Sequence, residues 1–111
     1  MPIYITQGRY TREAVKGMIV RPEDRADAVS RAVAKAGGRL IGYYFTFGEY
    51  DFLSLVDMPS DVQMAAVLLA AASGGGVTDV RTTVAMTSVE AKGAFAAASD
   101  IAPSFKSAGG T

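Results

Sequence analysis

Residues 40–58 constrain the fold of this chain more than any other stretch. They read Leu-Ile-Gly-Tyr-Tyr-Phe-Thr-Phe, then Gly48-Glu49-Tyr50-Asp51, then Phe-Leu-Ser-Leu-Val-Asp-Met. Two runs of β-branched and aromatic residues around a short glycine-containing segment predict a β-hairpin with a three- or four-residue turn. Alternation along a strand places Ile41, Tyr43, Phe45 and Phe47 on one face of the first arm, and Leu40, Gly42, Tyr44 and Thr46 on the other. In the second arm Phe52, Ser54, Val56 and Met58 oppose Asp51, Leu53, Leu55 and Asp57. Neither face of either arm is cleanly polar, so both need cover. One layer of helices covers one face; the other needs a second subunit or a closed pocket.

The flanking segments supply the remaining elements. Ile3 and Ile5 alternate with Tyr4 and Thr6, predicting a first strand over residues 2–9. Thr11 is placed to cap a short helical turn beginning at Arg12. Pro22, Glu23 and Asp24 suit a helix start, and Ala26, Val29, Val33 and Ala36 recur at helical spacing. Gly37-Gly38 then ends a helix over residues 22–36. Ser60 and Gln63 have capping-box spacing ahead of Met-Ala-Ala-Val-Leu-Leu-Ala-Ala-Ala, a helix apolar nearly all round and so expected to be buried on more than one side. Residues 77–87 are β-rich, with Val80, Thr82, Val84 and Met86 on one face and Asp79, Arg81, Thr83 and Ala85 on the other. Thr87 and Glu90 repeat the capping-box spacing before a helix over residues 88–98.

The order β-α-β-β-α-β predicts an α+β, ferredoxin-like domain: a four-stranded antiparallel sheet with helices on one face. The expected domain covers residues 1–98, with a loose Ser-, Ala- and Gly-rich tail over 99–111. At 111 residues a single domain is expected. Half the residues are hydrophobic, which again favours self-association, as homodimer or larger, through the sheet.

Composition removes several chemistries. The chain has 11 basic and 11 acidic residues, no histidine and no cysteine. Zero net charge argues against non-specific nucleic-acid or membrane-surface binding. Imidazole triads, histidine-ligated metals, disulfides and thiolate nucleophiles are excluded. No metal and no cofactor are expected. No basic, apolar leader and no apolar run of about 18 residues is read, so the expected compartment is the cytoplasm.

With the hairpin in place, Gly48-Glu49-Tyr50-Asp51 resembles the Gly-x-Tyr-Asp signature of the GYD domain family. Tyr10-Thr11, Gly37-Gly38 and Val80-Arg81-Thr82 are similar to that family's other marks, over residues 3–97. One departure is Thr83-Val84, where the family tends to carry an acidic residue soon after Arg-Thr. The family has no settled activity, so the resemblance implies the fold and a dimeric α+β barrel arrangement. The signature is also similar to that of the Lrp/AsnC effector-binding domain, which pairs by its sheets and binds amino acids at subunit boundaries.

The candidate ligand-binding residues are Lys16, Tyr43, Tyr50, Asp51, Arg81 and Thr83, with Gly48 structural. Each has a plainer reading. Gly48 and Asp51 can be turn chemistry, with Asp51 bonding nearby amides. Arg81 can pair with a carboxylate of a neighbouring subunit, or clamp an anionic ligand. Lys16 can be a solvated charge unless its segment folds over a pocket mouth, and Tyr43 can be core packing. Tyr50 can wall a pocket and offer its hydroxyl to a ligand or to Lys16. The expected function is an oligomeric small-molecule-binding or regulatory module; the alternative is a cofactor-independent, oxygenase- or isomerase-like enzyme acting on a small organic substrate.

Overall fold

The computed structural model describes residues 2–110; Met1 and Thr111, which begin and end the expected domain and tail, lie outside the described residues. Strand β1 (Ile3–Tyr10) runs antiparallel to β3 (Phe52–Asp57) on one side and β4 (Val77–Ala85) on the other, and β2 (Arg39–Phe45) pairs with β3. The sheet order is β2-β3-β1-β4. Four helices accompany it among the described residues: α1 (Arg12–Val20), α2 (Arg25–Lys35), α3 (Asp61–Ser73) and α4 (Ser88–Ile101). The fold is α+β and ferredoxin-like, with α1 as an added helix.

Local chemistry sets the helix ends. Thr11 caps α1 by accepting from the Ala14 amide at 3.2 Å, and its backbone N–H donates to the Gly76 carbonyl, tying α1 to the start of β4. The expected short turn is therefore a nine-residue helix. Helix α2 begins at Arg25, three residues later than expected. The Asp24 side chain takes up the Ala26 amide and leaves Pro22 and Glu23 as a lead-in. Its other end closes in a Schellman motif: Gly38 N–H donates to the Val33 carbonyl and Gly37 N–H to Ala34, with Gly37 at φ 90°. Ser60 caps α3 as expected, but the Gln63 side chain bonds the Ser60 hydroxyl instead of its amide. Thr87 and Glu90 form the full capping box. Helix α4 then runs to Ile101, with a 3-10 turn at Ala102–Ser104, so regular structure continues past the expected boundary at residue 98.

The hairpin departs from simple alternation at one point. Leu40 pairs with Val56 and Gly42 with Leu55, leaving Ile41 as the extra residue of a bulge. The bulge moves Leu40 onto the face shared by Tyr43, where it packs on the core, rather than the face of Tyr44. Thr46 N–H donates to the Asp51 carbonyl at 2.8 Å and closes a four-residue turn over residues 47–50. Gly48 sits in it at φ 124° with open space around it, so the backbone angle is what calls for glycine there.

The core lies between the sheet and helices α2 and α3: Tyr4, Val33, Val56, Met58 and Met64. Tyr4 anchors it by donating its hydroxyl to Asp61, the first residue of α3, at 2.5 Å. That bond, above all, pushes the Tyr4 phenol up to about 12. The opposite face of the sheet carries Ile3, Ile5, Leu53 and Leu55 beside exposed Ile41 and Tyr44, with no helix over it among the described residues.

Candidate functional site

Strand parity places Thr6, Gly8 and Tyr10 of β1 on the helix side, where Ser54 of β3 pairs with Tyr43 of β2. Between these side chains and the inner faces of α2 and α3 lies a cavity of about 260 Å³. Its walls are mostly apolar, including Val29, Val33, Val56, Met64 and Leu68, with polar groups from Thr6, Ser54, Tyr10, Tyr43 and Arg25. Two neighbouring spaces open from the same point. A cleft of about 870 Å³ lies between α1 and the end of α3, lined by Lys16, Arg21, Glu23 and Arg25. A second, of about 500 Å³, runs along Val15, Met18 and Ile19 of α1 to Tyr43, Phe45 and Asp51. Tyr10 and Arg25 line all three.

The meeting point is an aromatic box. The rings of Tyr10 and Phe52 lie 5.2 Å apart, and those of Tyr43 and Phe52 stack at 5.8 Å. Gly8 lets Phe52 lie against β1, because a Cβ there would stand 2.7 Å from the ring. The Tyr10 and Tyr43 hydroxyls are hydrogen-bonded to each other. Burial raises the phenol pKa of both, and the bond from its neighbour raises Tyr43 further. Both hydroxyls therefore keep their protons at neutral pH. One proton is used between them, and the other is free to be donated to a bound oxygen. The Arg25 charge lies close enough to oppose the rise at Tyr43, and Arg25 itself pairs with Glu23 at 3.4 Å. Lys16, Arg21 and Arg25 against Glu23 make the larger cleft net positive, while Glu23, Asp24 and Asp51 against Arg25 make the second space net negative.

The sequence-derived candidates fall in different places. Tyr43 is in the box. Lys16 lines the α1 cleft, so its segment does fold over a pocket mouth. Asp51 lies beside the box, where its carboxylate accepts from the Tyr10 amide at 2.9 Å and its own amide donates to Gly8. That ties the hairpin turn to β1. Tyr50 and Arg81 are elsewhere, with Arg9, Glu49 and Asp79 around a polar recess of about 300 Å³ at the hairpin end of the sheet. The Arg9 guanidinium stands 5.7 Å from the Tyr50 ring and donates to the Glu49 carbonyl. Tyr50 and Lys16 line separate recesses. Thr83 lies opposite Ile5 on the open face. Sequence reasoning noted Tyr10 only as part of the Tyr10-Thr11 family mark, and did not single out Arg25, Phe52 or Ser54. The parity of Tyr4, Thr6 and Gly8 carried a signal for Tyr10. Arg25 carried none until Asp24 was known to cap α2. Among the described residues no group of three or more His, Cys, Asp or Glu side chains is placed to hold a metal.

A match to the GYD domain extends over residues 4–95, from β1 into α4. The chain belongs to the GYD domain family. Within this GYD domain the family signature builds the turn and its tie to β1, while the cavity opens on the other side of that tie. Solved structures share the fold at low identity. A Thermus thermophilus protein, TTHA0845, aligns with a TM-score of 0.52 at 20% identity, over 79% of this chain and 96% of that one. A transcriptional regulator from Neisseria meningitidis, solved in complex with L-Met, aligns at 0.53 and 12% identity, over 79% of this chain and 51% of that one. An AsnC family transcriptional regulator from Agrobacterium tumefaciens aligns at 0.51 and 18% identity, over 79% and 52%. The GYD domain thus spans about half the length of the two regulators. No curated protein matches it.

Proposed function

We propose that this GYD domain is an oligomeric small-molecule-binding regulatory module. Its ligand has an apolar body and one anionic group, such as a carboxylate. The observation that carries this reading is the apolar cavity between sheet and helices, with the Tyr10–Tyr43 hydroxyl pair and the Arg25 cation at its mouth. An apolar pocket with a few convergent polar groups is the usual form of a ligand site. At about 260 Å³ it is smaller than the roughly 300 Å³ at which drug-sized pockets begin, which suits a small metabolite. The regulator solved with L-Met supports a small carboxylate as ligand class.

Binding is favoured over catalysis by the direction of the phenol shifts. A general base works best with a pKa near the operating pH, and burial moves both tyrosines away from it. The Asp51 carboxylate is engaged by the Tyr10 amide. Self-association is supported by the apolar open face of the sheet, whose burial against a second copy would remove it from water.

Calorimetric titration with phenylacetate and L-methionine tests the reading. At least one probe is expected to bind, and Arg25→Met is expected to weaken it about tenfold or more through loss of a charge-assisted contact. Equal affinity in wild type and Arg25→Met would overturn the site.

A further inference from the structure

Helix α4 carries an apolar stripe that its own chain leaves open. Ala91, Ala94, Phe95, Ala98 and Ile101 recur at three- and four-residue spacings, and Phe105 continues the line past the 3-10 turn. Phe95 is 78% and Phe105 73% exposed. The principal contact of α4 within the chain is the 3-10 turn that follows it.

The same chain offers a strip of matching character. Val84 pairs with Tyr4 on the helix side of the sheet, yet Tyr4 is 2% exposed and Val84 61%. Met86, next on that face, is also exposed. The helix layer seals β1 and leaves the last part of β4 open. Helix α4 is held away from this strip in its own chain. Two residues, Met86 and Thr87, separate it from β4, and Thr87 is committed to the capping box: its amide donates to the Glu90 carboxylate, and its hydroxyl accepts from the Glu90 amide, both at 3.1 Å. No strand is among the principal contacts of α4, and the molecule measures 61 × 32 × 22 Å. Its radius of gyration is 18.0 Å, against about 13 Å for a compact chain of this length.

The surface area says how much is to be covered. The chain exposes 7885 Å², about 2,000 Å² more than the roughly 5,800 Å² of a folded monomer of its mass. A standard interface removes about 800 Å² from each partner, so pairing of the open sheet faces accounts for less than half of the surplus. Glu90 and Asp100 balance Lys92 and Lys106 along this segment, which gives no attraction to an anionic lipid surface. The geometry points to α4 as an arm that reaches onto a second copy of the chain and lays its Phe95 stripe over that copy's Val84 and Met86, each copy receiving the other's arm.

The chain has no cysteine, so introduced thiols report without background. A chain carrying Phe95→Cys is mixed with one carrying Val84→Cys, oxidised gently and run on a non-reducing gel, with circular dichroism confirming that each is folded. The expected result is a disulfide-linked dimer in the mixture, several-fold above either variant alone, and absent when Gly93→Cys, on the opposite side of the helix, replaces Phe95→Cys. No excess in the mixture would overturn the proposal. So would an internal disulfide in a single chain carrying both substitutions. In the full chain, Phe95→Asp is expected to raise the dissociation constant of the assembly at least tenfold by sedimentation. An unchanged constant would count against the arm. Binding of the wild-type chain to phosphatidylserine vesicles, lost in Phe95→Asp, would assign the stripe to a membrane instead.

Discussion

The two faces of the sheet come from the same four strands and both carry apolar clusters, the open one beside Gln7, Arg39, Asp57 and Arg81, yet they end in different states. On the helix side Tyr4, Val56 and Met58 are buried and a cavity remains. On the opposite side Leu53, Leu55, Ile3 and Ile5 form a surface with no helix over it among the described residues. The difference teaches that alternation sets which residues share a face, while cover decides what a face does. A face sealed by α2 and α3 can enclose a ligand. A face with an apolar patch and no helix over it among the described residues is where the proposed assembly would form. The two hairpin tyrosines show the same split: Tyr43 belongs to the cavity, and Tyr50 to the polar recess beyond the turn.

The largest expected contrast is in stability. Met58→Ala removes a fully buried side chain and should cost about 2–5 kcal/mol in urea denaturation. Leu55→Ala, measured at a concentration low enough to keep copies apart, should cost clearly less. An equal loss at both would break the distinction between the faces.

Leu55→Asp places a charge on the open face. It should leave the fold intact by circular dichroism and raise the dissociation constant of the assembly about tenfold or more, near 1.4 kcal/mol. A chain that sediments unchanged would show that this face is not an interface.

Tyr43→Phe should cost about 1–3 kcal/mol, because it leaves the Tyr10 hydroxyl without its partner. Tyr50→Phe should stay within about 0.5 kcal/mol, since its ring, not its hydroxyl, meets Arg9. Reversed magnitudes would exchange their roles. Gly48→Ala should fall between, at about 1 kcal/mol, from the positive φ alone.

The tyrosines also make the contrast visible in pH. Tyr4 is pushed up to about 12, and Tyr10 and Tyr43 are raised as well. A raised folded-state pKa means stability that is fully present below the unfolded value near 10 and lost as pH climbs through the folded value. Stability should therefore begin to fall above pH 10 and continue to fall toward 12. Phenolate absorbance should show these groups titrating late. Titration of all five tyrosines together near pH 10 would contradict the buried, bonded arrangement.

Much of the fold was legible because its signals are local. The Thr11, Ser60 and Thr87 caps, the Gly37-Gly38 stop and the period-2 runs each depend on a few neighbouring residues. The bulge at Ile41 was not legible, because a one-residue slip follows from how β2 meets β3. The candidate site was read in fragments. Tyr43 and Lys16 lie on its walls, while Tyr10 and Arg25, which join the three spaces, are brought together by the path of α1 and the late start of α2. Asp51 was read from its signature as ligand or turn, and its bond to the Tyr10 amide gives it a structural use.

The most direct test of the cavity as a ligand site is an amide chemical-shift map of the wild-type chain as phenylacetate is added. Saturable changes are expected at Tyr10, Arg25, Ser54 and Leu68 on the helix side, with Arg81 and Thr83 unmoved. Changes centred on Tyr50, Arg81 and Thr83, with the cavity residues still, would contradict it.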